Sequence, residues 1–212
     1  MIHQTFYRLP KAKRVLILDS LIAEFTLRPP ADARISAVVE LAGISRGSFY
    51  QYFDGMSDAE TAVLYHLGAQ RYAELAALIR SGHGDLFSAL AQLFRREMER
   101  SKDPGFAALL RNLSLPRTFV PAANRAGLPD APDPLELLSA LDLAVFRLPD
   151  IRFAMETVDL ATGALERLLR SVLEGHIPRE DAEKACDRVL DIIRLGALSD
   201  PPGRQAHQGE II

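Results

Sequence analysis

The stretch Ile35–Tyr52, ISAVVELAGISRGSFYQY, constrains this chain more than any other. It reads as two short helical patterns joined at Gly43. Val38, Val39, Leu41 and Ala42 give the first an apolar side, and Phe49 with Phe53 give one to the second. Between them Gly43-Ile44-Ser45 is a tight turn, because glycine supplies the positive φ that ends a helix and serine is a preferred N-cap for the next. Ile44 is placed to fill the space between crossed helices. Two helices joined in this way form a helix-turn-helix, whose second helix is offered to a DNA major groove.

The residues left facing outward on the second helix are Arg46, Ser48, Tyr50, Gln51 and Tyr52. Arginine pairs with guanine edges or phosphates, glutamine with adenine edges, and Ser or Tyr hydroxyls with phosphates. Gly47 lets the start of that helix approach a DNA backbone closely. The same spacing also fits an ordinary helical hairpin with a polar, solvent-facing side, so spacing alone leaves both readings open.

The run Ala42–Phe53, AGISRGSFYQYF, resembles the signature of the tetracycline-repressor (TetR) family of bacterial transcription regulators, A-G-(V/I)-S-(K/R)-G-(T/S)-(L/F)-Y-x-(H/Y)-F, nearly throughout. Upstream, Phe6, Leu9-Pro10, Lys13-Arg14, Ile17-Leu18 and Glu24-Phe25 are similar to the family's first helix, so the resemblance runs from residue 6 to about residue 67. It implies that Ser36, Ser45, Arg46, Gly47, Ser48, Tyr50, Gln51 and Tyr52 meet double-stranded DNA. Two positions depart from the pattern. Met56 stands where most relatives carry a phosphate-binding lysine, and Arg34 stands near their Thr or Ser helix cap, although Ser36 could still reach a phosphate.

The distribution of charge is modestly asymmetric, in a direction that suits that reading. Residues 1–57 hold seven Lys/Arg against five Asp/Glu, whereas the remainder holds 18 against 23. A mildly basic head on an acidic body suits a small DNA-binding module joined to something that does not bind DNA. Expected domains are therefore a head over 1–57, an effector-binding and dimerisation body over 58–200, and a disordered tail over 201–212.

Helical spacing predicts a first helix over 11–27, with Lys11, Lys13 and Arg14 at its start, where cations oppose the helix dipole. DNA phosphate or plain solvent could each accommodate them. Pro29-Pro30 stops that helix, the next runs from Asp32 or Ala33 to Leu41, and a third over 46–52. Ser57-Asp58-Ala59-Glu60 has capping-box spacing and predicts a long helix over 58–80. Further helices are expected over 85–101, from Asp103-Pro104 to Leu113, from Asp133-Pro134 to Phe146, over 150–174 and over 178–198. The proline-rich stretch 114–133 reads as a loop. No useful β-period alternation appears, so the chain is expected to be all-α.

The helix over 150–174 carries more apolar positions than one buried stripe requires, and the one over 178–198 is similar. Either both are central in the monomer, or each has a second face for a partner. The TetR resemblance implies the latter, a homodimer through a four-helix bundle, with Leu165, Leu168, Val172, Cys186, Val189 and Ile193 at the interface. The resemblance also implies an effector pocket in the body. Its candidate lining is Tyr65, His66, Phe87, Phe94, Met98, Phe106 and Phe119, although aromatic and Met residues at helical spacing are equally what cores are made of.

Other chemistry finds little support. The five histidines show no metal-ligand spacing, and the chain has no nucleophile elbow, phosphate loop or dinucleotide fingerprint. No catalytic residue, metal or cofactor is therefore expected, and the single cysteine, Cys186, reads as packing rather than a redox sensor. Neither a signal peptide nor a membrane-length apolar run is present, so a cytoplasmic protein is expected. The function these readings imply is a homodimeric repressor of a palindromic operator, released by a small molecule. The rival is a helical ligand-binding or enzymatic bundle whose first 55 residues no longer bind DNA, and activation is a lesser variant.

Overall fold

The computed structural model describes residues 1–113 and 137–199. Among these, nine α-helices carry the fold: α1 (Gln4–Tyr7), α2 (Lys11–Leu27), α3 (Ile35–Leu41), α4 (Arg46–Tyr52), α5 (Met56–Ser81), α6 (Leu86–Arg100), α7 (Pro104–Asn112), α8 (Ile151–Leu173) and α9 (Ala182–Ala197). The described residues contain no β-strand, only two isolated bridges, Ile2 to Phe53 and Phe146 to Leu198. The expected loop over 114–133, Phe119, the cap at Asp133-Pro134 and the tail over 201–212 lie outside the described residues.

Two hydrophobic clusters organise these helices. The head cluster joins Phe6, Ile17, Leu21, Phe25, Val38, Phe49 and Phe53 with Ala59 and Val63 from the first turns of α5, and it also takes in Leu109 and Leu113 from the end of α7. The body cluster begins at Tyr72 and runs through α6, α8 and α9. Two helices belong to both: α5, and α7, whose Leu110 joins the body cluster while Leu109 joins the head. Residues 64–69 of α5 are all half-buried, and Leu64 and Leu67 among them pack against the head cluster.

Local chemistry explains most helix ends. Asp85, Asp103 and Asp150 are N-caps whose carboxylates accept the amides of Ser88, Phe106 and Arg152, at 3.0, 2.7 and 2.8 Å. Gly175, with φ 79°, ends the turn that follows α8. Arg179 reaches back to the end of α6, donating to the Met98 carbonyl at 2.9 Å and to Ser101 Oγ at 3.1 Å.

Three expectations are corrected here. The capping box at Ser57 does not form: α5 starts two residues earlier than expected, with Gly55 as N-cap, and Asp58 instead accepts the Asp54 amide at 2.9 Å. The helix expected to continue to Phe146 gives way to turns and a short 3-10 helix, Leu143–Val145. The reason is backbone pairing with the end of α9, where Arg147 N donates to Ala197 O (2.9 Å) and Ser199 N to Val145 O (3.1 Å). That pairing brings the end of α9 to the start of α8, so the two helices run antiparallel. Finally, Arg14 is neither a phosphate contact nor a solvated charge. It is buried and donates to the carbonyls of Tyr7 and Leu9, fixing the turn between α1 and α2.

A buried ion network ties the body together. Arg71 on α5 meets both oxygens of Glu97 on α6 and, through Nη1 at 2.6 Å, Glu166 on α8. Two carboxylates share this one guanidinium, and burial pushes both Glu97 and Glu166 above the usual carboxylate range despite the attraction of Arg71. Nearer the surface, Glu74 of α5 pairs with Arg96 and Arg100 of α6 at 2.9 and 2.8 Å.

Candidate nucleic-acid interface

The turn between α3 and α4 is built as its residue types demand. Gly43 has φ 60°, in the left-handed region, and the Ile44 amide returns to Val39 O at 3.0 Å. Ser45 caps α4: its hydroxyl accepts the Ser48 amide at 3.0 Å and lies 2.9 Å from the Ser48 hydroxyl. The start of α3 is held differently. Its N-cap, Arg34, makes no side-chain cap, and the buried Glu24 of α2 accepts the Arg34 amide at 2.7 Å while pairing with Arg28 at 3.1 Å.

With both helices fixed, α4 divides into two faces. Phe49, Tyr52 and the following Phe53 are buried in the head cluster. Arg46, Gly47, Tyr50 and Gln51 stand on the opposite side and are exposed, as are Ser45 and, from the first turn of α3, Ser36; Ser48 is half-buried. The Arg46 guanidinium lies 5.9 Å from the centre of the Tyr50 ring, a cation–π contact that pre-sets its direction. This face offers a fork of donors, an amide and a phenol hydroxyl, the set that reads base edges and phosphates.

Tyr52 is the correction. It was expected to face outward with the others, but it is 6% exposed and packs between Phe6 and Phe53, with centroids 6.1 and 6.3 Å away. Helical periodicity contained the signal, because Phe49, Tyr52 and Phe53 are related by three and four positions and share a face. Residues that the sequence reading missed hold this site from behind. Glu24 was detectable as an acid in the apolar stripe of Ile17, Leu21 and Phe25. His3 and Thr5, which meet the far end of α4, carried no periodic signal.

The other expected sites fall as follows. Leu165, Leu168, Val172 and Cys186 are buried in the chain's own body core and offer no surface to a partner, while Val189 and Ile193 are half-buried. The apolar side chains that α8 and α9 expose are Ile151, Leu160, Ile192 and Leu195. Burial pushes the Cys186 thiol up to about 12, so it stays protonated. Phe87, Phe94 and Met98 are buried core, Phe106 is half-buried against it, and Tyr65 and His66 lie on the half-buried stretch of α5, where His66 Nε2 is 3.0 Å from Gln70 Nε2. Among the described residues no helix is long and apolar enough to cross a membrane.

Comparison with known proteins agrees with this geometry. Residues 17–58 match the family described as bacterial regulatory proteins, tetR family. Among solved structures, a TetR transcriptional regulator from Rhodococcus sp. RHA1 aligns with a TM-score of 0.55 at 20% identity, covering 87% of this chain and 96% of that one. A TetR family transcription regulator from Marinobacter aquaeolei VT8 aligns with a TM-score of 0.54 at 17% identity, covering 89% and 97%. SmeT, the repressor of the Stenotrophomonas maltophilia multidrug efflux pump SmeDEF, gives 0.53 at 19% identity, covering 93% and 96%. No curated protein matches the chain in sequence. At such identities the structural likeness speaks for the fold, and the match over 17–58 speaks for the head.

Proposed function

We propose that this chain is a TetR-family transcriptional regulator that works as a homodimeric repressor of a palindromic operator and is released by a small-molecule effector. One observation carries the DNA part of the reading. Arg46, Gly47, Tyr50 and Gln51 form an exposed polar face on a helix whose opposite face is locked into the head by Phe49, Tyr52 and Phe53. A helix presented so rigidly can enter a major groove without refolding, with Ser36 and Ser45 beside it to meet the phosphates.

Support for a partner comes from the apolar residues α8 and α9 leave outside. Ile192 and Leu195 are each 72% exposed and one turn apart, and Leu160 on the antiparallel α8 is 57% exposed. Large exposed apolar side chains grouped on one helical hairpin mark an interaction surface. The proposed interface is therefore Leu160, Ile192 and Leu195, with Val189 and Ile193 at its inner edge. A two-fold axis there presents two copies of α4 to successive major grooves on one side of a duplex.

For the effector, the support is the stretch of α5 at 64–69, half-buried throughout and lying on a helix that contributes to both clusters. A molecule filling space beside Tyr65 and His66 would favour one setting of α5, and hence one setting of the head, over another. The reading is tested by a gel shift, over a range of salt, on DNA flanking the protein's own coding sequence. Specific retention that weakens with salt is expected, and candidate effectors should abolish it. A folded chain that retains no duplex even at low salt would leave the rival reading of a helical bundle without DNA binding.

A further inference from the structure

Seven residues are too few for α4 to hold itself helical, so both of its ends must be fixed from outside. Ser45 fixes the start. At the far end the Phe49 carbonyl takes the Phe53 amide at 2.9 Å, but the carbonyls of Gln51 and Tyr52 have no further turn to satisfy them. Residues that precede α2 supply the donors. The His3 amide donates to Tyr52 O at 2.9 Å, the Thr5 hydroxyl donates to Gln51 O, and His3 Nδ1 lies 3.2 Å from that same Gln51 oxygen. The other ring nitrogen, Nε2, lies 2.7 Å from Asp54 Oδ1. Phe6, buried against Phe53 with centroids 4.9 Å apart, anchors the segment.

Both partners of the His3 ring are acceptors only, one a carbonyl oxygen and one a carboxylate oxygen. Neutral imidazole has a single N–H and would turn a lone pair toward one of them, whereas imidazolium donates to both. A cation here also sits at the negative end of α4. The charged groups around the ring are acidic or already paired with acids. Asp54 comes from the turn after α4, and its carboxyl is held below the usual range by the Met1 amino group first and by His3 second. Asp58 comes from the first turn of α5 and takes the Met1 amino group and the Asp54 amide.

We propose that His3 and Thr5 are positioning residues for the DNA-reading helix, a clamp on the Gln51–Tyr52 end of α4 that is complete only while His3 is protonated. The clamp aims the side chains of Tyr50 and Gln51, which leave from the turn it holds, and loosens as His3 loses its proton. The inference rests on the reading of α4 as the helix that meets DNA.

The test uses the full chain and a duplex that the wild type selects from a random pool, with a scrambled duplex as control, between about pH 5.5 and about pH 8.5. Specific affinity should fall roughly five- to tenfold across that range, well short of a full charge-assisted hydrogen bond lost in each subunit because the His3–Asp54 pair is part-exposed to solvent. In His3→Gln, which keeps a donor but cannot titrate, the specific profile should flatten to that of the scrambled duplex, since the other four histidines remain. Thr5→Val should weaken specific binding at every pH, and Thr5→Ser should restore it. A His3→Gln profile parallel to the wild type, or Thr5→Val binding as the wild type does, overturns the clamp. Should His3→Gln unfold, the two Thr5 variants decide alone. If the wild type selects no duplex at any pH, it is the reading of α4 itself that fails, and the clamp with it.

Discussion

The side-chain amide of Asn112 donates to the Phe25 carbonyl at 2.8 Å and to that of Thr26 at 3.3 Å, so the last residue of a body helix caps the last turn of a head helix. One residue on, the Leu113 carbonyl accepts Nη2 of Arg170 from α8 at 3.0 Å. The end of α7 is thereby held from both sides, by α2 and by α8. Leu109 and Leu113 add their side chains to the head cluster. Asn112→Ala leaves two carbonyls of α2 without that donor and should cost about 1–2 kcal/mol of stability, the price of unsatisfied backbone acceptors. Urea unfolding measures it, and a variant as stable as the wild type would mean that the cap is idle.

The ion network predicts an asymmetry. Arg71→Met leaves Glu97 and Glu166 buried without their shared cation and should destabilise by about 3–5 kcal/mol at neutral pH. Glu166→Gln leaves one carboxylate for one guanidinium and should stay within about 1 kcal/mol of the wild type. The pH sign follows from raised native pKa values. The native state binds protons more readily than the unfolded chain, so stability falls as pH rises out of the ordinary carboxylate range. Removing Arg71 removes the attraction that restrains this, and the Arg71→Met deficit should shrink on acidification to about pH 5. Parallel melts of both proteins at the two pH values check it.

For the dimer, Ile192→Glu or Leu195→Glu puts a charge on side chains that are exposed in the monomer. Sedimentation should show such variants as folded monomers. Leu168→Glu, by contrast, places a carboxylate in the body core and should unfold the chain. A wild type that sediments as a monomer at micromolar concentration would remove the interface.

On the DNA face, Arg46→Ala and Gln51→Ala should weaken specific binding more than non-specific, since a bidentate base contact is worth about 1–3 kcal/mol of discrimination. Tyr50→Phe keeps the ring beneath Arg46 and removes only the hydroxyl, so it should weaken all duplexes alike. Tyr52→Phe should leave DNA binding unchanged, because that ring belongs to the core. Affinities for selected and scrambled duplexes separate the three behaviours.

Met56 is the first residue of α5, half-buried against the head cluster, at the position where the resemblance to the TetR pattern implies a lysine. A lysine stem could lie along the same apolar surface and carry its ammonium outward. Met56→Lys should tighten binding to any DNA and steepen the slope of log affinity against log salt by roughly 2 per dimer, about 0.9 for each phosphate neutralised. Parallel salt plots would mean that Arg34 or Lys13 already serves that phosphate.

What the sequence determined by itself was local. Gly43 and Ser45 dictate a turn and a cap through their own backbone and side-chain chemistry, and Asp85, Asp103 and Asp150 start helices for the same reason, so the helix-turn-helix and the all-helical class were legible before any packing was known. The tertiary structure decided whatever depends on partners distant in sequence. Arg14 turns inward because the Tyr7 and Leu9 carbonyls need a donor, and Tyr52 is buried because α1 packs against it. Leu165, Leu168, Val172 and Cys186 became core rather than surface because α8 and α9 turn those faces toward α5 and α6. Composition sets how many apolar side chains a helix carries, but which of them water can still reach is fixed only when its neighbours are in place.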